Sequence, residues 1–509
     1  MAERLAAFQE LPEAGAMEID LPTAWRQSQK TGREYLAAEE DYILAGIRLL
    51  VERHRWELQF DGTSTVSVSG DQVDGDSSTA LRVINQLVAT QQLPYGGEVA
   101  ARWVWNATEN LRSSVSGQYV QASSIILDGN IPLLRGAGLV AQESLIQAER
   151  DLVYSARNFE QFRREYLVSI ARDYFALLQQ QKGIQNVREQ LNRSIYEEQR
   201  NRALVDAGRI AEFELSIATN EVLSSQASLA AAKESYVLSL DRFKIRLGLS
   251  VDAPIVLVES PLPIALPEVN PQEAAAIALD YRLDLQNQRD QYVDSKRGVL
   301  NARNQLLPDL DLSGSVTFPT DADEDEGGAV YEPDDVQWAT ALTFGIPLDR
   351  RNERLALRSA MIGLERSGRD LSRFRDDVVV DARARVREID RSRFDLDLRE
   401  RAVQINLRRQ QEQDLKREEV TPQEVADTAN ALQQARDARD QAETDLRNAV
   451  LDYLLATGQL RVQRDGMFLP LPGMMLEDAT TPSELAQPRP APNDPPEGPT
   501  PEELGDPRE

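Results

Sequence analysis

The stretch Ile131-Pro132-Leu133-Leu134-Arg135-Gly136 recurs in outline as Ile346-Pro347-Leu348-Asp349-Arg350-Arg351, and the reading of this pair decides the fold. Each stretch closes a strand-like run and opens a very long helical pattern. Each long pattern reaches a turn signal, Ala207-Gly208 in one half and Val420-Thr421-Pro422 in the other. Each then returns as a second helix that stops near a glycine, Gly248 or Gly458. Aligned on those glycines, Glu214 falls on Glu424 and Ile217 on Asp427. Two copies of "strand, long helix, tip, long helix" mark a fused pair of structural units, because self-similarity of this kind decides architecture before local detail does.

Working outward from the first stretch, the helical pattern from Leu139 to Val205 covers about 65 residues, roughly 100 Å at 1.5 Å per residue. Its apolar residues recur by sevens: Leu145, Leu152, Phe159 and Tyr166, then Ile170, Leu177, Ile184 and Leu191. The second long pattern does the same with Leu364, Leu371 and Val378, then Ile389, Leu396 and Val403. Sustained heptads predict coiled-coil packing. Earlier in the first unit, Leu21 to about Arg55 reads as helix. Leu58, Phe60, Val66 and Val68 then alternate with polar residues, as in a strand. Gly70 to Ser78 reads as a loop, Pro94-Tyr95-Gly96-Gly97 as a turn, and Val99 to Trp105 and 115–127 as further strand. The second unit begins at Asn270-Pro271, an N-cap followed by proline at the first helical position. It continues through a strand pair with Leu310, Leu312, Phe344 and Ile346 at mostly even spacing.

The expected organisation is a disordered segment over 1–20, then a first repeat over 21–250. That repeat holds a strand pair within 56–127 and a hairpin over 138–248 with its tip near 206–212. A connector over 251–270 leads to a second repeat over 271–460, with a strand pair over 309–346. Its hairpin runs over 350–457 with a tip near 418–423, and a Pro-rich acidic tail over 461–509 is expected to be disordered.

Composition narrows the function. A formal net charge of −27 over 509 residues, with no basic patch, argues against a nucleic-acid partner, which needs clustered Lys and Arg. Cysteine is absent and His54 is the single histidine, which removes disulfides, thiolate zinc sites and cysteine nucleophiles. Nothing near His54 resembles a nucleophile elbow, so neither an enzyme nor a cofactor is expected. No run of about 18 apolar residues exists, although a membrane β-barrel needs only about 9–11 alternating residues per strand. Met1 to Asp20 shows no basic start followed by an apolar core, so no export signal is visible.

Four strands per chain cannot close a barrel alone, and an open sheet edge cannot face lipid. Three chains of four strands give twelve, an even number suited to a pore. Leu310, Leu312, Phe344 and Trp338 would face lipid, the Ser/Thr/Asp set the water, and Trp103, Trp105 and Trp338 the interfacial aromatic girdle.

Over residues 20–460 the chain resembles TolC-type outer-membrane efflux proteins. The likeness rests on Leu93-Pro94-Tyr95-Gly96-Gly97 before a strand, Ile131 to Gly136 entering the first long helix, Leu306-Leu307-Pro308-Asp309-Leu310 before the second strand pair, and the tandem repeat. The resemblance implies a mainly helical homotrimer, with a helical barrel across the periplasm continuous with a twelve-stranded barrel in outer-membrane lipid of a Gram-negative-type bacterium. It implies an exit duct for drug efflux or type I secretion, docked to a periplasmic adaptor and an inner-membrane pump. It also implies a gate of acidic residues just after the second tip, here Glu424 and Asp427. Glu424 fits equally a capping box, Thr421-Pro422-Gln423-Glu424, in which it bonds back to the backbone. Arg408, Arg409, Lys416 and Arg417 precede this tip and are candidates for a latch, or simply a solvated face. Adaptor contact is expected at Asp206, Gly208, Arg209 and Glu212 on the first tip, and at Glu418, Val420, Thr421 and Pro422 on the second. The alternative reading is a periplasmic coiled-coil adaptor or scaffold without a pore.

Overall fold

The computed structural model describes residues 16–73, 76–112, 119–259, 270–320, 331, 334–416, 420–462 and 468–469. The repeat is visible in element lengths. Helices α1 (Leu21–Thr31) and α2 (Arg33–His54) have 11 and 22 residues, as do α5 (Pro271–Tyr281) and α6 (Leu283–Asn304). The long outgoing helices α3 (Glu143–Asp206) and α7 (Arg351–Leu415) have 64 and 65 residues. The returning helices α4 (Glu212–Arg246) and α8 (Pro422–Ala456) have 35 each.

The two short helices of each repeat are read from sequence as one. A single residue in extended backbone separates them, Gly32 in one repeat and Arg282 in the other. The N-caps are built as the residue types dictate. Asp20 accepts from Thr23 N at 2.9 Å, and Asn270 accepts from Gln272 N at 3.0 Å ahead of Pro271.

The chain forms two compact units, and each draws on both sequence repeats. One comprises the described residues of Met1–Glu40, Arg157–Gln286 and Ser372–Pro495. Its core joins Tyr174, Phe175, Phe243, Leu247, Tyr453 and Leu454, all essentially removed from solvent. The heptad residues Tyr166, Ile170 and Leu177 of α3 and Val378 and Ile389 of α7 are buried there too. Trp25 donates its indole N–H to Leu167 O at 2.8 Å, so its one polar atom is satisfied inside the core. Strand β1 (Met17–Ile19) pairs in parallel with β6 (Ile255–Leu257) at the edge of this core. That pairing corrects the expectation of disorder over 1–20 for its last residues: Ile19 is fully buried and its backbone neighbours find partners. Residues 1–15 lie outside the described residues. The tail expectation needs a similar correction at its start, where β9 (Arg461–Val462) pairs with β10 (Phe468–Leu469), and everything from 470 onward lies outside the described residues.

The other unit comprises the described residues of Asp41–Ala156 and Asn287–Leu371 and holds one antiparallel sheet. The sheet contains β2 (Gln59–Val73), β3 (Asp76–Gln92), β4 (Glu98–Arg112), β5 (Tyr119–Pro132), β7 (Asp309–Pro319) and β8 (Gln337–Gly345), in that spatial order. Six strands per chain replace the expected four. The stretch Gly70 to Ser78, read as loop from its Gly, Asp and Ser content, is mostly strand. The 15 paired positions between β2 and β3 hold these poor strand formers in a ladder. Twelve strands from three chains therefore do not follow from this sheet.

The two opening stretches do equivalent work. Arg135 forms an ion pair with Asp309 at 2.6 Å, at the start of β7. Arg350, its counterpart, donates to Leu306 O at 2.8 Å, just past the end of α6. Each arginine ties the entry of a long helix to the same segment between α6 and β7.

Candidate functional site at the helical tips and the sheet

Residues paired across an antiparallel ladder share a face, and successive residues along a strand alternate. One row therefore crosses the whole sheet as Phe60, Ala89, Ala101, Leu127, Val316 and Trp338. The next row on that face is Gly62, Leu87, Trp103, Ile125 and Phe318. Leu312 with Leu342 and Leu310 with Phe344 extend the same face. The opposite face carries rows such as Gln59, Thr90, Ala100, Asp128, Ser315 and Ala339. Arg102 pairs there with Asp128 at 2.6 Å. One face is thus apolar and largely exposed, with Leu342 at 63% and Phe344 at 59%, far more than scattered surface residues account for. Trp103, Trp105 and Trp338 all stand on this apolar face in consecutive rows, as the alternation anticipates. The Trp103 indole donates to Ser123 Oγ at 2.9 Å and to Tyr331 OH at 3.0 Å.

At the second tip, Thr421 is the N-cap of α8 and Pro422 follows at its start. Glu424 N–H donates to Thr421 Oγ1 at 3.3 Å, while the Thr421 backbone N–H and hydroxyl each donate to Glu424 Oε2 at 3.0 Å. The capping box is therefore formed. Those two bonds to the carboxylate, the backbone one foremost, hold Glu424 below the usual glutamate range. Asp427 lies one turn on, exposed, and accepts from Gln423 Nε2 at 3.1 Å. Arg408, Arg409 and Lys416 are exposed, and among the described residues no salt bridge joins them to Glu424 or Asp427. Arg417 and Glu418 lie outside the described residues.

At the first tip, Asp206 ends α3 and Gly208 takes φ of 67°, a left-handed conformation that lets Arg209 N–H reach Leu204 O at 2.8 Å. Glu212 opens α4 without a side-chain cap. The repeat-related residues behave differently at the two tips. Glu214 and Ile217 are half-buried and line a cleft of about 460 Å³ between α3, α4 and the start of α8. Arg193, Arg200, Val420 and Val425 line it as well. Glu424 and Asp427 do not line it and are open to solvent. Sequence reasoning did not reveal this cleft, because its walls come from segments about 200 residues apart. Farther up, Asn186 donates to Asp437 Oδ1 at 2.9 Å and Asp440 Oδ2 at 3.2 Å, and burial pushes the Asp437 carboxyl up.

No protein-family model and no curated protein sequence matches the chain. Its fold is similar to that of the outer-membrane channel OprN, with a TM-score of 0.65 over 86% of this chain and 89% of that one at 15% identity. The CmeC outer membrane channel of Campylobacter jejuni gives 0.64 over 86% and 85% at 14% identity. The MtrE outer membrane channel of Neisseria gonorrhoeae, solved in an open state, gives 0.62 over 86% and 88% at 14%. At these identities the likeness fixes the fold. No helix among the described residues is long and apolar enough to cross a membrane.

Proposed function

We propose that the chain is the outer-membrane exit duct of a tripartite efflux or type I secretion system. Three copies assemble, their sheets close a barrel in outer-membrane lipid, and their helical hairpins enclose the periplasmic passage. The sheet with one apolar and one polar face carries this reading, because an exposed apolar face of this extent needs lipid and a polar face behind it needs water. The similarity in fold to outer-membrane channels supports it. A periplasmic adaptor meets the tips at Asp206 to Glu212 and Val420 to Pro422, and an inner-membrane pump delivers the cargo. Class averages of the detergent-purified protein are expected to show threefold tubes; solitary rods would overturn the duct.

Glu424 and Asp427 form the gate, two rings of three carboxylates in the trimer. They are solvated where their first-repeat counterparts line the cleft, so a single hairpin per chain carries the charge. Focused negative potential favours cations. Asp427→Asn with Glu424→Gln is expected to move the reversal potential in a salt gradient toward zero; an unchanged potential removes both residues from the pore.

The cap also makes the tip acid-sensitive. A carboxyl depressed in the folded state stabilises above its ordinary pKa, and that contribution is lost as pH falls through the depressed value. Exchange protection of the Thr421 amide should therefore fall as the solution is acidified from about pH 6 to about pH 3. Glu424→Gln should flatten that dependence. Protection indifferent to acid in the wild-type chain would show the box open in solution.

A further inference from the structure

The strand count holds an asymmetry between the repeats. The second repeat passes from α6 through one hairpin, β7–β8, into α7, whereas the first passes from α2 through two hairpins, β2–β3 and β4–β5, into α3. By position, β2 answers β7 and β5 answers β8. The strands β3 and β4 have no counterpart.

We propose that β3 and β4 are a hairpin inserted into the barrel wall, so that each chain contributes six strands and three copies close an eighteen-stranded pore. This rests on the duct reading above. Barrel diameter grows roughly linearly with strand number, so the lumen is about one and a half times as wide as a twelve-stranded one, and barrels of about this size hold open aqueous channels.

Three observations carry the inference. First, the inserted strands share the amphipathic pattern of the wall. Leu81, Val83, Leu87 and Ala89 of β3 and Ala101, Trp103 and Trp105 of β4 continue the apolar face, with Asn85 as a polar position between Val83 and Leu87. Ile84, Val88 and Val104 on the other face are its only large apolar residues in these two strands among the described side chains. With 17 and 15 residues, β3 and β4 exceed the roughly 9–11 that span a bilayer.

Second, the turn between them is built into the base of the sheet. Gly138 N–H donates to Tyr95 O at 2.9 Å and Gln142 Nε2 to Pro94 O at 2.7 Å, both from the entry of α3. Gly97 has φ of 85°, and a Cβ there would lie 1.9 Å from Asn130 O on β5. The hairpin is locked in register at that end.

Third, the sheet edges are unprotected. Edge strands of free-standing sheets carry Lys, Pro or inward charges that block pairing. Here β2 has no Lys, Arg or Pro, and β8 has no charged residue or proline at all. With an even number of strands per chain, β8 of one copy meets β2 of the next antiparallel, so the occupant of each edge is another copy of this chain and the ring closes.

The chain has no cysteine, so single thiols report position cleanly. The full-length protein is reconstituted in liposomes containing acyl-chain nitroxide lipid, with a fluorophore on Leu87→Cys, Gln86→Cys or Leu342→Cys. Loss of most of the fluorescence at both Leu87 and Leu342, with Gln86→Cys reached instead by a charged water-borne thiol reagent, is the expected result. Quenching at Leu342 but not at Leu87 places the inserted hairpin outside the wall and overturns the proposal while leaving the duct intact. No quenching at either position removes the membrane barrel itself. A map of the trimer showing twelve wall strands overturns the count independently.

Discussion

Gly248→Ala is expected to abolish stable folding, whereas Gly208→Ala is expected to be tolerated. Both glycines have left-handed backbone, with φ of 73° and 67°, so each substitution costs the steric penalty of that region, about 1–2 kcal/mol. Their surroundings separate them. A Cβ on Gly208 meets nothing within 4 Å, while a Cβ on Gly248 would lie 2.0 Å from Thr31 O and 2.4 Å from Thr31 C. Backbone cannot yield as a flexible side chain does. Here it is also pinned, because Thr31 Oγ1 donates to Leu247 O at 2.6 Å and Gly32 sits between Ser28, Tyr166 and Arg246 with no room for a side chain. The substitution must part α4 from the α1–α2 break beside the buried Leu247 and Gly32. That places the loss at about 4 kcal/mol or more, in the exceptional class of single substitutions. Gly458 repeats the arrangement against the α5–α6 break, with a Cβ 2.8 Å from Tyr281 O, and Gly458→Ala should fall between the two. Thermal unfolding and the yield of folded protein from membranes rank the three variants. Equal behaviour of Gly248→Ala and Gly208→Ala would mean that the α1–α2 break does not close on α4 as described.

These glycines also show what the sequence made legible. The recurrence of the Ile-Pro-Leu stretches, the tip signals and the terminal glycines was enough to find the repeat, because each feature depends on local backbone chemistry. The helix breaks at Gly32 and Arg282 were not visible. Arginine is a good helix former, and its extended conformation depends on Asp284 and Asp381, with ion pairs of 2.7 and 2.9 Å, and on the close approach of Gly458. That information is tertiary. The missing hairpin has a related cause. Ile84 and Val88 lie on the otherwise polar face of β3 and blur its period of two, while Gly70 to Ser78 has the composition of a loop and its described residues, 70–73 and 76–78, become strand only through pairing. At the tip, Thr421-Pro422-Gln423-Glu424 announced its cap correctly, since a capping box is a four-residue affair. The exposure that separates Glu424 and Asp427 from Glu214 and Ile217 could not be read from sequence, because it depends on which helices pack over each tip.

The apolar face of the sheet yields the second large effect. Leu342 and Ala341 are neighbours on β8, equally close to the hairpin end and equally able to form the ladder, with partners Leu312 and Ser313. They differ in face. If the Leu342 face meets hydrocarbon, Leu342→Arg places a guanidinium in lipid at about 2–4 kcal/mol per chain near the bilayer midplane, and a trimer carries that three times. Ala341→Arg places the same charge toward water, beside Ser313, Thr343 and Ala339, where it should be accommodated. The expected outcome is a protein that fails to assemble in the outer membrane for Leu342→Arg, and an assembled one with altered single-channel conductance for Ala341→Arg. The comparison introduces the same side chain one residue apart on the same strand, so a general intolerance of arginine in β8 would show as failure of both. If Leu342→Arg assembled normally while Ala341→Arg did not, the faces would be inverted, and the polar rows through Asp128 and Ser315 would have to be explained as something other than a pore lining.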